Sequence, residues 1–459
     1  MLTSFLFFLR WAMIPLVYFG GIVIIVATVF KNVELGLSLM VGLIPQPNIY
    51  YKFYDLPMGK DFIDILFLAI LLGIFINKKG FTGAGNSILI FLFVALSFLE
   101  LWNSSMRFSL PLPISSENAV LRIWKNYAQM ILLYFLTLNA VNDENKQKHI
   151  VIIMSLVVLF ISIRSYRNFS GGSGFVDERR YGGPFEIVGL GSNHLGAFIA
   201  HYSAVFMGIF FYDKVKWRKL LFLATVLFSL HPLFFSYSRG AYAAAFGVVV
   251  FYGLIKKRSL LILIFAMLLA WQVILPASVT ERIMMTETEG GELENSAAVR
   301  LKLWEDALNL FYENPLFGAG FDGFTLAHKG EHWSDTHNFY LKTLSEQGIA
   351  GIIFLTLIFI MAFRSGWRLY NIGKTTFYHG LGFGFMGAVL AVMITNMFGD
   401  RFSYFMLGSY FWVFWGLVDR GILISQGSGT QQVKIEDGNI WQGAEKQTRL
   451  KAIAHYIKQ

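Results

Sequence analysis

The chain has 459 residues, of which 55% are hydrophobic, 17% aromatic and 15% charged, with a formal net charge of +9. A soluble domain carries about a quarter charged residues, so this composition excludes an ordinary soluble protein. The chain has no cysteine, which excludes disulfides, thiolate catalysis and thiolate metal sites.

Long apolar stretches recur along the chain and predict an all-α, polytopic integral membrane protein with about 12 to 14 transmembrane helices. They lie near residues 11–30, 33–45, 62–76, 86–102, 121–141, 150–167, 192–212, 218–237, 240–255, 259–276, 346–363, 378–398 and 402–418. The first of them is expected to be a retained membrane segment, because no basic region or cleavage site accompanies it.

Apolar and polar stretches divide the chain into four parts, and the distribution of positive charge orients these parts across the membrane. We predict transmembrane helices over 1–276 and 346–420, a large polar loop over 277–345, and a polar tail over 421–459. Lysine and arginine concentrate on alternate short loops, which predicts that those loops and the tail are cytoplasmic and that the large loop faces outward. The positive charge is thereby explained by membrane orientation, and nucleic acid is not a predicted partner.

The large loop contains a segment with the pattern of an amphipathic helix, AAVRLKLWEDALNLFYENP. Its apolar stripe consists of Val299, Leu303, Ala307 and Leu310, with Trp304 and Phe311 beside it. Arg300 lies in its first turns, and Pro315 is expected to end it. A glycine-rich turn, LFGAGFDGF, follows.

The stretch HNFYLKTLSEQGIAG joins this loop to the next apolar run. Nine residues separate His337 and Asn338 from Gly348, and Gly351 lies three residues further on. This spacing predicts that the two glycines share one helix face and permit a close backbone contact. The imidazole can exchange a proton near neutral pH; the alternative is a polar cap on a helix that enters the bilayer.

Arginines occupy two other outward turns. Arg239 lies in SYSRGAY, where it could bind an anion with backbone donors of the following helix or simply extend to the interface. Arg179 and Arg180 lie in a glycine-rich loop that ends with Asn193 and His194. This loop could hold a phosphate, or the arginines could pair with the acidic residues before them.

A metal site is the alternative interpretation of the histidines and carboxylates of the large loop. These residues are His328, Glu331, His332, Asp335 and His337. Gly330 and Ser334 interrupt the spacing that a helical metal site would need. We therefore predict no metal.

Asp400 and Arg401 lie at a further outward turn and are predicted to form a local ion pair. The outward surface thus presents arginines from separate loops and one histidine at a helix entry. This arrangement predicts a site for an anionic, membrane-embedded substrate, with its phosphate at the interface and its lipid between helices. The histidine would serve as acid or base.

Together these motifs resemble the O-antigen ligase/polymerase superfamily, whose polytopic bacterial enzymes transfer glycans from undecaprenyl pyrophosphate. The HN–G–G pattern is similar to the signature at the end of that family's large periplasmic loop. RLKLWEDALNLFYENPLFGAGFDGF, SRGA and RRYGG…SNHLGAF resemble its other motifs. The resemblance covers roughly residues 170–365.

The resemblance implies a role for each matching residue. Arg239 and Arg300 would bind the donor pyrophosphate, and Arg179 and Arg180 would contribute to substrate binding. His337 would act as general base on an acceptor hydroxyl in a metal-independent, inverting transfer without a cofactor. Asn338 would help to hold substrate, and with Gly348 and Gly351 it would position the helix. The implied location is the bacterial inner membrane, with the site facing the periplasm.

The resemblance leaves the acceptor open. A ligase uses lipid A–core, a polymerase uses another lipid-linked repeat unit, and a protein O-oligosaccharyltransferase uses a Ser or Thr hydroxyl. The HN–G–G pattern and the basicity favour the ligase. A transporter of lipid-linked glycans is the alternative of another class, and it would place polar residues in mid-membrane. For each transferase the donor is a glycan linked to undecaprenyl pyrophosphate, and membrane lipids surround the protein.

Overall fold

The computed structural model describes residues 2–77, 80–169, 180–284, 295–329 and 335–427. Within these ranges the chain forms helices and short turns without a strand. Its longer helices are α1 Leu2–Phe30, α2 Val33–Leu43, α3 Phe62–Ile76, α4 Ser87–Arg107, α5 Ala119–Ala140, α6 Glu144–Asn168, α7 Ser192–Tyr212, α8 Lys216–Phe235, α9 Arg239–Ile255, α10 Ser259–Ile274, α11 Ala277–Met284, α12 Asn295–Glu313, α13 Phe339–Ile372, α14 Thr376–Thr395 and α15 Phe405–Ser425. Arg179, Glu331, His332 and the part of the predicted tail (421–459) from residue 428 onward lie outside the described residues.

Among the described helices, seven are long and apolar enough to cross a membrane by length and composition. They are the part of α1 from Met13 to Phe30, together with α4, α6, α7, α8, α13 and α14. The predicted all-α polytopic membrane protein is confirmed. The other apolar helices are shorter or less apolar, so the count of 12 to 14 crossings stays a prediction.

Helix α7 packs directly on α14 through glycine. A Cβ at Gly208 would lie 2.3 Å from the Cα atom of Gly384, so the two backbones touch. Small residues at a helix crossing permit this approach between membrane helices, where packing rather than the hydrophobic effect drives association. On the other side of the core, Trp412 and Trp415 of α15 are fully buried. The core therefore runs along α7, α14 and α15.

The helix ends define two ends of the bundle. At one end, the Lys148 ammonium lies 5.6 Å from the ring centroid of Phe377, and the hydroxyl of Tyr212 donates to that of Tyr370. This end collects the lysines and arginines of the predicted cytoplasmic loops, and we call it the basic end. At the other end, the turn before α13 meets the turn after α14, where the N–H of Phe339 donates to the carbonyl of Asn396 at 3.0 Å.

The amphipathic helix of the large loop forms as predicted, because α12 ends at Glu313, two residues before Pro315. Its stripe residues Leu303, Ala307 and Leu310 are buried. They pack with Ala319 and Phe324 of the segment that follows, and with Leu341 of α13. The helix is thus fastened to the start of α13, close to His337.

A break at Gly348 divides α13 into two helical segments. Gly348 has φ 62° and ψ −158°, so the prediction that it shares one helix face with Gly351 is wrong. The predicted close backbone contact is confirmed at Gly348, where a Cβ would lie 2.5 Å from the carbonyl of Leu316, whereas a Cβ at Gly351 would meet the side chain of Gln347 in the same helix. The helix also begins at Phe339, before the predicted apolar run at 346.

The glycine-rich turn supplies the hydrogen bonds that the break in α13 removes. The N–H groups of Ala319 and Gly320 donate to the carbonyls of Ser345 and Glu346, both at 2.8 Å. On the other side, the N–H of Ile349 donates to the carbonyl of Pro315 at 2.9 Å. These backbone groups, freed at the break in the helix, thereby find partners. The turn and the broken helix form one unit beneath His337.

Candidate functional site

A tight turn presents His337 immediately before α13. His337 has φ 50°, a left-handed conformation that a residue with a side chain seldom adopts. Its N–H donates to Oδ1 of Asp335 at 3.1 Å. The side chain of Asn338 accepts from the N–H groups of Tyr340 and Leu341 at 3.0 and 3.2 Å, which is the role of a helix N-cap. Asn338 therefore positions the turn.

Two contacts pin this turn to the rest of the protein. The indole Nε1 of Trp304 on α12 donates to the carbonyl of Thr336 at 3.1 Å. The Phe339–Asn396 backbone hydrogen bond ties its other side to the turn after α14. These two hydrogen bonds hold His337 in its strained backbone conformation. Such strain persists only where the surrounding structure fixes it, and it is common at functional sites.

The imidazole of His337 is partly accessible and electrostatically tuned. Its side chain is 28% exposed, and Nδ1 lies 3.7 Å from Oδ2 of Asp335. Burial lowers the pKa of His337 from its ordinary value; Asp335 opposes this shift, whereas the charges of Arg300 and Arg401 add to it. The imidazole is therefore neutral at neutral pH and able to accept a proton.

Arg401 lies against the first turn of α7. Its guanidinium donates to Nε2 of His194 at 2.8 Å and to the carbonyl of Asp400 at 2.8 Å. Because a guanidinium only donates, Nε2 of His194 must accept, and His194 is neutral with its proton on Nδ1. His194 lies close enough to His337 for protonation of one imidazole to act on the other. Arg401 and His194 thus join α7 to the neighbourhood of His337.

Arg180 closes the loop that precedes α7. Its guanidinium donates to Oδ1 of Asn193 at 2.7 Å and to the carbonyl of Ser236 at 3.1 Å. Between Arg180 and Asn193, a short 3-10 helix, Gly183–Val188, buries Phe185. The charge of Arg180 also acts on Arg401. The glycine-rich loop therefore brings one of its two predicted arginines to the same region.

Arg239 is the first residue of α9, and Ser238 caps that helix by accepting from the N–H of Ala241. The next residue, Gly240, lies against Phe398, because a Cβ there would be 2.9 Å from the Cβ of Phe398. Arg239 thereby adjoins the turn that carries Asp400, and Arg300 acts electrostatically on His337 from α12. The structure thus places the predicted arginines 180, 239 and 300 at the end of the bundle that carries His337.

The predicted ion pair between Asp400 and Arg401 is wrong, because Asp400 pairs with Lys342 instead. The carboxylate of Asp400 is fully buried and pairs with the ammonium of Lys342 at 3.1 Å. Burial alone would raise the pKa of Asp400, but Lys342 and hydrogen bonds from Ser403 outweigh it, so this pKa is lowered. The sequence analysis did not identify Lys342 as a site residue. The signal was present, because Asn338, Lys342 and Glu346 are spaced by four and therefore lie on one side of a helix that enters the membrane.

The described residues hold no group of three or more histidine or carboxylate side chains arranged to bind a metal. His328 binds elsewhere: its Nδ1 lies 2.9 Å from the carbonyl of Phe324, and its Nε2 lies 3.8 Å from a carboxylate oxygen of Asp306 on α12. The charges that act on His337 include those of Arg300 and Arg401 beside those of Asp335 and Asp400. Guanidinium groups suit a phosphate, which they bind with paired hydrogen bonds.

The fold and this site together define an all-α, polytopic membrane protein with a histidine and several arginines gathered at one end of the bundle. Residues 223–356 match the family model described as O-antigen ligase, a segment that includes Arg239, Arg300, His337, Gly348 and Gly351. This match supports the resemblance to the O-antigen ligase-like superfamily that the motifs indicate, and with it a glycan transferase of the ligase and polymerase type in general. No curated protein matches the chain in sequence.

Proposed function

We propose that the chain transfers an oligosaccharide or polysaccharide from undecaprenyl pyrophosphate to an acceptor hydroxyl on the periplasmic face of the bacterial inner membrane. We propose further that it is an O-antigen ligase, with lipid A–core as acceptor. The observation that carries this proposal is the partly exposed, neutral imidazole of His337 beside the charges of Arg300 and Arg401, within a segment that matches the O-antigen ligase family.

In the proposed reaction, His337 removes the proton of the acceptor hydroxyl while the hydroxyl oxygen attacks the anomeric carbon of the donor sugar. The bond from that carbon to the pyrophosphate oxygen breaks, and undecaprenyl pyrophosphate leaves with the electron pair. Attack from the face opposite to the leaving group inverts the configuration. The imidazolium, balanced by Asp335 at 3.7 Å, returns its proton to water.

The arginines would supply the positive charge that the departing pyrophosphate requires. Arg300 and Arg239 are proposed to bind its oxygens, and Arg180 to extend this binding surface. Arg401 would hold His194 and the turn in place rather than bind the donor, because two of its hydrogen bonds are already made within the protein. Fixed cations that meet charge as it develops are a large source of rate enhancement, and they make the proposed transfer metal-independent.

Surface polysaccharide from a deletion strain, complemented with wild type or with His337→Ala, tests this function. For a ligase, deletion leaves bare lipid A–core while long polymer accumulates on its lipid carrier, and His337→Ala fails to restore the ladder. His149→Ala is the matched control, because this histidine is 67% exposed beside Glu34 on another part of the chain; it should restore the ladder.

The same gel separates the alternatives. A core that carries a single repeat unit, together with loss of long chains, would identify a polymerase. A normal lipopolysaccharide ladder in the deletion strain would refute the ligase assignment and direct the search to exopolysaccharide or glycoprotein. Full complementation by His337→Ala would remove the imidazole from the mechanism.

A further inference from the structure

A cavity lies at the basic end of the bundle, far along α13 from His337. It has a volume of about 520 Å³. The second half of α13, the end of α15 and the segment before α4 enclose it, and Arg364, Arg368 and Asp419 are among the residues that line it. The proposed transfer reaction makes no use of this cavity.

Two arginines stand at the rim of this cavity. Arg364 and Arg368 are one helical turn apart on α13, both are exposed, and neither has a carboxylate within ion-pair distance among the described residues. Arg218 at the same end differs, because it pairs with Asp213 at 2.8 Å. Like charges four residues apart on a helix repel each other, so this pair favours an anion between the two guanidinium groups.

The floor of the cavity is a closed polar network. The carboxylate of Asp419 accepts from the amide of Asn86 at 2.9 Å and from the hydroxyl of Tyr134 at 2.6 Å. The hydroxyl oxygen of Ser365 accepts from Asn86 at 2.8 Å and from the indole of Trp415 at 3.1 Å. These groups satisfy one another, and neither arginine at the rim lies within ion-pair distance of the Asp419 carboxylate, although the charge of Arg368 acts on it.

The walls of the cavity are apolar, formed by Met361, Ile372, Ile422 and Leu423. Trp367, which also lines the cavity, is 45% exposed, as is common for tryptophan at the membrane interface. An apolar wall below a cationic rim suits a ligand with a phosphate at one end and hydrocarbon at the other. Basic pockets between membrane helices on the cytoplasmic side bind anionic lipid headgroups.

We propose that this cavity binds an anionic phospholipid. Arg364 and Arg368 hold its headgroup phosphate, and an acyl chain lies along the apolar walls between α13 and α15. The bound lipid stabilises the junction of these two helices with the segment before α4, because a ligand that binds only the folded state adds to its stability. This inference does not depend on which acceptor the transferase uses.

Binding of phosphatidylglycerol to the full chain in detergent, followed by native mass spectrometry, tests the proposal. Phosphatidylcholine serves as the neutral lipid. Wild type should prefer phosphatidylglycerol, and Arg364→Gln with Arg368→Gln should weaken that binding by about tenfold or more. Lys257→Gln with Arg258→Gln removes the same charge from the same end of the bundle and should leave it unchanged.

Equal phosphatidylglycerol affinity in the arginine variant and wild type would overturn the proposal, as would an equal loss in the control variant. Inorganic phosphate is the second probe. If it binds with the same dependence on both arginines and phosphatidylglycerol does not displace it, the site takes a free anion and the lipid assignment fails.

A cavity-filling variant tests the place of the acyl chain while both arginines remain. Gly85 lines the cavity, and no atom lies within 4 Å of the position that its Cβ would take. Gly85→Leu should therefore fold normally and weaken phosphatidylglycerol binding. Wild-type lipid affinity in this variant would contradict a ligand that enters the cavity.

Discussion

The ammonium of Lys342 lies 3.1 Å from the carboxylate of Asp400, and this buried ion pair joins the helix that follows His337 to the turn that carries Arg401. The other carboxylate oxygen of Asp400 accepts from the N–H of Ser403 at 3.0 Å. The pair therefore sets the distance between the proposed base and the arginine that holds His194.

Removal of the cation from this pair should destabilise the protein. Lys342→Met leaves the carboxylate of Asp400 buried without its counter-charge, and breaking one partner of a buried pair costs about 3–5 kcal/mol. Thermal unfolding in detergent should show a clear drop in Tm. Lys302→Met, at an exposed position on α12, is the control; an equal Tm for both variants would contradict the structural role of Lys342.

The hydrogen bond from Arg401 to His194 should support transfer without contacting the donor. Arg401→Gln removes this charge-assisted hydrogen bond, which contributes about 1.5–3 kcal/mol. If that whole free energy is lost from the transition state, kcat/KM should fall about 10- to 100-fold. Arg122→Gln, at an exposed position on α5, should behave as wild type. Unchanged kcat/KM in Arg401→Gln would show that this contact is dispensable.

The pH dependence of transfer should report the environment of His337. The neutral imidazole is the base, so kcat/KM should rise with pH through the pKa of His337, which burial and nearby arginines place below 6.5. Asp335→Asn removes a charge that raises this pKa and should move the half-maximal pH lower. Arg300→Gln removes a charge that lowers it and should move the half-maximal pH higher. A midpoint that moves in neither variant would assign the titration to another group.

The break in α13 should require glycine at position 348. Gly348→Ala places a Cβ 2.5 Å from the carbonyl of Leu316 at a residue with φ 62°. The left-handed conformation alone costs about 1–2 kcal/mol, and the overlap adds to it, so Tm and transfer should both fall. Gly42→Ala is the control, since open space surrounds that position; a loss of Tm in Gly42→Ala as large as that in Gly348→Ala would refute the argument.

Local patterns in the sequence predict much of this fold. The stripe of Leu303, Ala307 and Leu310 predicts the buried face of α12, and Pro315 predicts its end, because helical spacing and proline act over a few residues. The distribution of lysine and arginine over the loops predicts that arginines 180, 239 and 300 lie at the same end of the bundle as His337. The superfamily resemblance rests on these same local patterns.

The break at Gly348 and the partners of Asp400 and Arg401 are not predicted, because they depend on contacts between residues that are distant in the sequence. Glycines three apart indicate a shared helix face, but the turn at 315–320 supplies the hydrogen bonds that let Gly348 break the helix. Adjacent Asp400 and Arg401 suggest a local pair, yet Asp400 finds Lys342 and Arg401 finds His194. These pairings join residues 58 and 207 positions apart, and no spacing rule reaches that far.

Transfer by the purified protein in proteoliposomes is the most direct test of the central claim. The liposomes contain only the chain, a glycan linked to undecaprenyl pyrophosphate and lipid A–core, and covalent product is measured by mass. Wild type and His149→Ala should form glycosylated lipid A–core, whereas folded His337→Ala should form none. Product from His337→Ala at the wild-type rate, or no product from wild type with both substrates present, would contradict the account.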